Sequence, residues 1–393
     1  MSTQKNQHYV PKFYQRFFSV DGSTIGVFLP EQRKKIDAAP IKYQASEDYL
    51  YTKDTKNPDN AEAALGSLEG PAKLVIEKLL HNPPETLTKE EEYMLYVFVL
   101  LQLGRTLVPM EMLQQAADMM AQQVLKEDKK IHDKNGDKKY DEITDEIIDN
   151  IKLNIANLGA LSVYTHLQLI PSCIDLMNEF KVLVNRTKVG FVTSDNPACL
   201  YNMFLEKVEH INMGMGCRGV MFYLPLNVDR AVLYYDSKVY KCGNRRQKVV
   251  QVISEQDVME LNKLTAVNSR MLFFFNPVRT NVFELERMAA QKARFVVKEK
   301  IKEISGVDVT SGNPIVGMHH TGISCKLKLS FLKYLPTYNA KTAKTFDPRT
   351  DLYREIAYYK DDLEKKFTED IKSMKTKKND GNELGIASKE YLS

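Results

Sequence analysis

Apolar positions change their spacing twice along the chain, and each change predicts a different kind of secondary structure. Before residue 50 and after residue 186, short apolar runs are bounded by turn residues, which is typical of strands. Between residues 61 and 79 the apolar positions recur every three or four residues, which is helical spacing. The pattern therefore predicts a central helical region with strands before and after it.

The first fifty residues contain the elements of a hairpin. A turn at Asp21-Gly22 precedes an apolar run from Thr24 to Leu29, and a polar corner at residues 31–34 leads to a second run from Lys35 to Tyr43. Gly at a turn followed by β-branched and aromatic residues favours two antiparallel strands.

The helical region has its own start and stop signals. Pro83-Pro84 ends the first helix, and Thr88 with Glu91 three residues later forms a capping box for the second. That helix contains the apolar run Tyr93 to Leu103 and is expected to pass Arg105 toward Gln115. Further helices are expected from Met110 to Lys129 and from Asp141 to Lys181.

The later part of the chain alternates strands with two helices. The predicted helices are Glu255 to Ser269 and Val282 to Ile304. The predicted strands are Val189 to Thr193, Val220 to Leu224, Ala231 to Tyr235 and Met271 to Phe275.

These elements predict an α+β fold in which the helical layer packs with a mixed or antiparallel sheet from the N-terminal strands and the strands of residues 189–275. Residues 1–304 are expected to form one domain, with a helical subregion at 58–186 and a strand-rich subregion at 187–276. Residues 305–393 are expected to be an extension with one helix and a disordered tail.

Composition narrows the class of protein. Hydrophobic residues make up 43% of the chain and charged residues 27%, which is ordinary for a protein with a packed core. The formal charge of +4 is too small to indicate a dedicated nucleic-acid surface, although a local basic groove is compatible with it. Five widely spaced cysteines without a CxxC pair, together with the absence of a signal-peptide or membrane-span pattern, predict a cytoplasmic protein without membrane contact.

Several sequence blocks carry a family resemblance. The block His8-Tyr9-Val10-Pro11 is followed by Phe13, Tyr14 and Arg16, and later blocks are Gln102 with Arg105-Thr106, Thr193-Ser194-Asp195-Asn196-Pro197, and Phe222-Tyr223-Leu224-Pro225-Leu226. In this order they resemble the microbial family catalogued as domain of unknown function 4238, over roughly residues 8–276. The resemblance implies shared architecture and shared polar positions, and a context in microbial antiphage defence.

His8 and Arg16 are the first candidate functional residues. Histidine titrates near neutral pH, so His8 could serve as a general acid or base, and Arg16 could contact an anionic substrate. Alternatively, both residues anchor the N-terminal segment through hydrogen bonds while its aromatic residues fill a pocket.

Asp195 and Asn196 lie in a turn directly after a predicted strand. A rigid strand end can present a carboxylate to a ligand, so Asp195 is a candidate catalytic residue and metal ligand, and Asn196 a candidate substrate contact. Asp and Asn also bond their own backbone in turns, which is the alternative explanation.

The helical region offers a third group of polar residues. Glu62 and Glu69 lie two turns apart on one helix face, and Gln102 and Arg105 lie one turn apart on another helix. Glu62, Glu69 and Asp195 together could hold Mg²⁺ or Mn²⁺, while Arg105 and Gln102 bind the substrate. The same residues could instead form a buried ion-pair network that ties the helices to the N-terminal block.

Two functions follow as hypotheses. One is a metal-dependent hydrolase or nuclease in which His8, Asp195 and Glu69 are catalytic and the substrate is a nucleic acid or nucleotide. The alternative is a non-catalytic binding or sensing module of a defence complex, with a protein partner and a structural polar network.

Overall fold

The structure is a computed structural model. It describes residues 5–51, 59–136, 140, 142–206, 208, 214–295, 301–307, 314–320, 323–338 and 349. For residues 59–63, 172, 301–307 and 314–320 it describes the backbone alone.

The N-terminal segment contains a short α-helix, a hairpin and a short pair formed by its first and last strands. The elements are β1 (Asn6–His8), α1 (Lys12–Arg16), β2 (Thr24–Leu29), β3 (Lys34–Pro40) and β4 (Ser46–Asp48). β1 pairs with β4, and β2 pairs with β3, both antiparallel. The Asp21 carboxylate accepts the backbone N–H groups of Ser23 and Thr24 at 2.8 and 2.7 Å, so the turn before β2 is fixed by its own side chain. The predicted hairpin is present.

The helical layer is built around one buried helix. Its elements are α2 (Asp59–His81), α3 (Lys89–Gly104), α4 (Leu107–Lys134), α5 (Asp145–Asp149), α6 (Leu158–Leu167) and α7 (Ile170–Cys173). The capping box of Thr88 and Glu91 starts α3 as predicted. α3 is apolar on every side between Leu95 and Leu101, because it packs against α2, α6 and the sheet behind it.

Within the described residues, the strand-rich part forms two larger sheets and two antiparallel strand pairs. Its elements are β5 (Phe180–Asn185), β6 (Thr193–Ser194), β7 (Cys199–Tyr201), β8 (Met221–Pro225), β9 (Arg230–Tyr235), β10 (Tyr240–Cys242), β11 (Val249–Val252), α8 (Glu255–Asn268), β12 (Phe273–Phe275), α9 (Val282–Phe295), β13 (Ile301–Val307), β14 (Pro314–His320) and β15 (Leu332–Tyr334). The strand pairs are β10 with β15 and β13 with β14. A mixed sheet has the order β11-β5-β9-β8-β7, and an antiparallel sheet has the order β3-β2-β12-β6. The second sheet joins N-terminal strands to later ones, so the predicted α+β arrangement is confirmed.

The mixed sheet is buried on both faces. Val182, Val184 and Phe222 point into the helical layer, whereas Leu183 and Tyr223 point toward α8 and residues 325–332. Successive side chains of a strand alternate between faces, so this sheet separates two hydrophobic cores.

Several predicted elements were wrong in their bounds or type. The strand expected from Val189 to Thr193 is reduced to β6 (Thr193–Ser194), and residues 189–192 are not in a strand. The single helix expected from Asp141 to Lys181 is instead divided into the three short helices α5, α6 and α7, and Phe180–Asn185 is the strand β5. The helix expected to pass Arg105 breaks there, and α4 starts at Leu107. The helix expected to reach Ile304 ends at Phe295, and β13 begins at Ile301, where apolar and polar residues alternate in part.

The chain divides into two compact units, residues 1–347 and 348–393. The helix predicted within residues 352–375 and the predicted tail lie outside the described residues. In the first unit, β15 pairs with β10, and Cys325, Leu327 and Leu332 belong to the second core, so this core extends beyond residue 304.

Among the described helices, no single one combines the length and apolar character needed to cross a membrane. α3 and α4 satisfy that test together, as a pair bent by 54° at its break.

Candidate functional site

The N-terminal block is held in place by its aromatic residues. Phe13, Tyr14 and Phe18 are buried in the first core, and Phe13 and Tyr14 pack against Phe98 of α3. The Tyr14 hydroxyl donates to the carbonyl of Pro225 at 2.6 Å, at the end of β8. Because these contacts reach both the helical layer and the mixed sheet, α1 has a fixed position between them.

Arg105 connects the N-terminal block to the helical layer. Its side chain is 2% exposed, at the end of α3. Nη1 donates to Glu69 Oε1 at 2.6 Å, and Nη2 donates to the backbone carbonyl of His8 at 2.7 Å. The Tyr51 hydroxyl donates to the Arg105 carbonyl at 2.9 Å, and the Tyr51 backbone N–H donates to Gln7 Oε1 at 2.8 Å. One arginine thus joins β1, α2 and the segment after β4.

The buried charge of Arg105 is balanced locally. Burial opposes the charge, but Tyr51 and Glu69 outweigh it and raise the pKa of Arg105. Of the ion-pair network considered as an alternative, the structure shows the pair of Arg105 and Glu69 and the bond from Arg105 to the His8 carbonyl, whereas Gln102 has no partner among the described residues. The Arg105–Glu69 pair also forms one wall of a cavity, so these residues can contact a ligand as well as stabilise the fold.

That cavity, which we call the Arg105 pocket, has a volume of about 400 Å³. Its polar lining residues include Gln7, His8, Lys12, Arg16, Glu69 and Arg105. Lys12 and Arg16 are four residues apart on α1 and so share one helix face. Neither forms an ion pair with a residue that the structure describes. Glu69 is the one carboxylate among the described lining residues, and it is already bound to Arg105.

His8 is neutral in this setting. Burial lowers the pKa of His8 to about 4, and the positive charges of Lys12 and Arg105 act in the same direction. Its Nε2 atom is buried without a hydrogen-bond partner in the described part of the chain. A histidine with so low a pKa could accept a proton near neutral pH but would rarely carry one to donate.

Asp195 has a different environment from His8 and Glu69. It is 2% exposed and does not line the Arg105 pocket. Its carboxylate accepts three backbone N–H groups, from Arg270 at 2.8 Å, Met271 at 2.7 Å and Leu272 at 3.0 Å. Burial raises the pKa of Asp195 in spite of these donors. Asp195 thus fixes the chain between α8 and β12 onto β6.

Asn196 and Gln102 also lie outside the pocket lining. Asn196 Oδ1 accepts the Thr106 hydroxyl at 2.6 Å, and its Nδ2 donates to the carbonyl of Asn268 at 2.9 Å. Both amide atoms of Gln102 are buried without a partner among the described residues. The side chain of Glu62 lies outside the described residues. The structure therefore brings together His8, Arg16, Glu69 and Arg105, while Asp195, Asn196 and Gln102 occupy other positions.

Metal ligands do not cluster in the described part of the chain. Among those residues, no three or more His, Cys, Asp or Glu side chains are placed to hold a metal ion. The described lining of the Arg105 pocket has a different character, with three cationic side chains and one paired carboxylate, and this arrangement attracts anions.

Sequence reasoning missed Lys12 and Tyr51. The four-residue spacing between Lys12 and Arg16 in a short helix could have identified Lys12. Nothing in the sequence places Tyr51 beside Arg105, since 54 residues separate them.

The fold and the site define an α+β protein with two larger sheets and a cationic pocket where its N-terminal block meets its helical layer. The chain belongs to the family described as "Protein of unknown function (DUF4238)", whose sequence model matches residues 6–278. No curated protein matches the chain, and no solved structure matches it. The match includes β1, α1, Glu69 and Arg105, so the whole described lining of the Arg105 pocket lies within the family region.

Proposed function

We propose that the Arg105 pocket binds a small phosphate-bearing anion. The observation that carries the proposal is the pair of cations on α1, Lys12 and Arg16, which line the pocket and have no carboxylate partner among the described residues. The guanidinium of Arg105 lies beside them, but its Nη1 is bonded to Glu69 and its Nη2 to the His8 carbonyl, so Lys12 and Arg16 supply the net positive charge of the pocket. Unpaired cations in a concave site are costly unless a ligand or solvent balances them.

The residue types favour phosphate among the anions. An arginine fork and a lysine ammonium offer several donors to a tetrahedral group with three accessible oxygens. A volume of about 400 Å³ lies in the range of small-molecule pockets. Phe13 and Tyr51 also line the pocket, but they are 9% and 2% exposed, so the cations rather than an open ring face carry the recognition, and the phosphate group is the part of a ligand that the pocket would bind.

In this proposal the chain is a binding or sensing module rather than an enzyme. Arg105, bonded both to the His8 carbonyl and to Glu69, would report ligand binding to β1 and α2 at once. The family resemblance supports placing such a module in microbial defence, in the cytoplasm and with a protein partner.

A hydrolase or nuclease is the second candidate, because His8 and Glu69 line the same pocket. His8, neutral at pH 7, would accept a proton, and Arg105 would face the substrate's negative charge. His8 and Glu69 alone are too few ligands for a divalent cation such as Mg²⁺ or Mn²⁺. A further carboxylate would be needed, and Glu62 is the nearest one before Glu69 in the sequence of α2.

Thermal unfolding tests the proposed function. Adenosine monophosphate and inorganic phosphate are added to the wild type and to the double variant Lys12→Glu, Arg16→Glu, at constant ionic strength. A ligand at one hundred times its Kd should stabilise the wild type by about 2.7 kcal/mol, which raises the midpoint by several degrees. The double variant should lose this response.

The matched control is Arg33→Glu, Lys34→Glu, which makes the same change of charge at an exposed turn and strand start. It should respond to ligand as the wild type does. Equal responses from wild type and the Lys12, Arg16 variant would exclude the pocket as the binding site. Turnover of a phosphate ester or an oligonucleotide with Mg²⁺ or Mn²⁺, abolished by His8→Gln, would favour the hydrolase instead.

A further inference from the structure

A second basic surface lies at one edge of the mixed sheet, away from the residues of the Arg105 pocket. It is a groove of about 750 Å³ between the end of β5, the turn from β8 to β9, and the residues after β12. Four cationic side chains and one carboxylate line it, and we call it the Arg230 groove: Arg186, Lys188, Arg230, Arg279 and Asp229.

The one carboxylate is already neutralised. Asp229 Oδ1 lies 2.8 Å from Arg279 Nη1, and Arg279 also donates to the carbonyl of Thr187 at 3.1 Å. This pair fixes the turn of residues 227–229 against the loop that follows β5. The three remaining cations therefore make the electrostatic potential of the groove positive.

Arg230 and Arg186 have no ion-pair partner in the part of the chain that the structure describes. Arg230 Nη1 donates to the carbonyls of Leu79 and Asn82, at the end of α2. Arg186 Nε donates to the neutral Gln251 Oε1 at 2.6 Å. Burial and the positive charge of Arg186 lower the pKa of Arg230, so the two guanidinium groups repel each other. An anion in the groove would relieve that repulsion.

The loop that carries Arg186 and Lys188 is fixed in advance. Asn185 Oδ1 accepts the backbone N–H and the hydroxyl of Thr187, both at 2.9 Å. The Arg186 backbone N–H donates to the carbonyl of Val252 at 2.9 Å, on the neighbouring strand β11. Cations on a loop held this way lose little conformational freedom on binding, which favours a specific surface over a mobile one.

The residues that line the groove favour one class of polyanion over another. None of the described groove residues is aromatic, so the groove offers no ring on which a base could stack. Single-stranded nucleic acids and free nucleotides usually depend on such stacking. A duplex presents its phosphates outward with its bases already stacked, and guanidinium groups bind those phosphates in a bidentate manner.

We infer that the Arg230 groove binds the phosphodiester backbone of a duplex nucleic acid, without reading its sequence. The inference is independent of the proposed function, since the two surfaces share no lining residue. A formal charge of +4 is compatible with such a site, because the fold brings cationic residues that are far apart in sequence together on one surface.

Fluorescence anisotropy with a labelled 20-base-pair DNA of arbitrary sequence tests the inference. If the three unpaired cations contact phosphates, raising the salt concentration from 50 to 200 mM should weaken wild-type binding roughly 40-fold. The double variant Arg186→Ala, Lys188→Ala should bind at least tenfold more weakly at 50 mM salt, and its remaining salt effect should fall to roughly fourfold. Arg33→Ala, Lys34→Ala, which removes the same two residue types elsewhere, should behave as wild type.

Arg186 and Lys188 are exposed, so the variant is expected to fold, and its circular dichroism spectrum and unfolding midpoint check this. If it does not fold, Lys188→Ala alone replaces it, with Lys34→Ala as control. Wild-type binding no stronger than that of the variant overturns the inference. So does preferential binding of single strands of the same length, or equal displacement of DNA by poly-glutamate at matched charge, which would indicate an acidic protein partner.

Discussion

Arg105 and Arg230 are both withdrawn from water, but their charges are met in different ways. Arg105 is fully buried and has a carboxylate at 2.6 Å, and its pKa is raised. Arg230 is half-buried, is bonded to backbone carbonyls and has another arginine beside it, and its pKa is lowered. The first arginine is a structural tie that forms one wall of a pocket, whereas the second keeps a positive charge that the described residues leave uncompensated.

The partner of each arginine explains the difference. Glu69 on α2 balances the charge of Arg105 inside the protein. Arg230 instead meets the end of the same helix, where Leu79 and Asn82 present carbonyl oxygens. Helix C-termini attract cations through free carbonyls and the helix dipole, which holds the side chain but leaves most of its charge unbalanced. A partly buried arginine that is bonded only to backbone carbonyls, and not to a carboxylate, keeps a net positive charge. Such an arginine can therefore mark a site for an anionic ligand.

Replacing Arg105 should give the largest effect. Arg105→Ala removes the partner of Glu69 and the donor to the His8 carbonyl, so we expect the free energy of unfolding to fall by about 3 to 5 kcal/mol. Urea denaturation followed by circular dichroism measures it. The control is Arg270→Ala, which breaks a solvent-exposed pair with Glu111 and should cost less than about 1 kcal/mol. Equal losses in the two variants would contradict the view of Arg105 as a buried tie.

Asp195→Ala should have the second-largest effect. It leaves three backbone N–H groups without their acceptor, and the free energy of unfolding should fall by at least about 2 kcal/mol. Asp195→Asn keeps one acceptor oxygen and should lose less. If Asp195→Ala is as stable as wild type in the same urea experiment, the structural role is wrong and a catalytic role regains support.

The pH dependence of stability isolates His8. Its pKa is about 4 in the folded chain and near 6.5 when unfolded, so the unfolded chain binds the extra proton between these values. The stability that neutral His8 confers is complete above pH 6.5 and is lost as the pH falls toward 4. The difference in unfolding midpoint between wild type and His8→Gln should therefore shift in favour of the variant from pH 7 to pH 4.5. An unchanged difference across that range would show that His8 is not buried in its neutral form.

Replacing Arg230 should give the smallest effect. Arg230→Ala loses hydrogen bonds to the end of α2 but also removes the repulsion with Arg186, so the free energy of unfolding should fall by about 1 kcal/mol or less. Urea denaturation beside Arg105→Ala makes the comparison direct. A loss as large as that of Arg105→Ala would mean that Arg230 is also a structural tie, and the groove would lose its distinguishing feature.

Local patterns predicted the elements whose contacts are local. The strand Thr24–Leu29 and the capping box at Thr88 follow from neighbouring residues, and both are as expected. The strand β5 was missed because it is buried on both faces and shows no alternation, and because Lys181 gives it a polar residue. That lysine is accommodated by the carbonyls of Asn244 and Gln247, which are more than sixty residues away.

The sites depend on contacts that no sequence window contains. Glu69 and Arg105 were both singled out as polar residues, but their pairing across 36 positions required the fold. Asp195 was singled out for its position at a strand end. The groups that its carboxylate binds are backbone N–H donors near residue 271, and backbone donors have no sequence signature. The cations of the Arg230 groove come from three separate loops and strands, so the charge pattern along the chain did not indicate them.

The bond from the Tyr14 hydroxyl to the carbonyl of Pro225 spans 211 residues, and this separation has a consequence for synthesis. At about 5 to 20 residues per second, roughly 10 to 40 s pass between translation of the two partners. During that interval the aromatic residues of α1 can pack against α3 and β2, but the mixed sheet that completes their core is absent. The N-terminal block should therefore reach its final packing only after β8 and β9 have emerged from the ribosome.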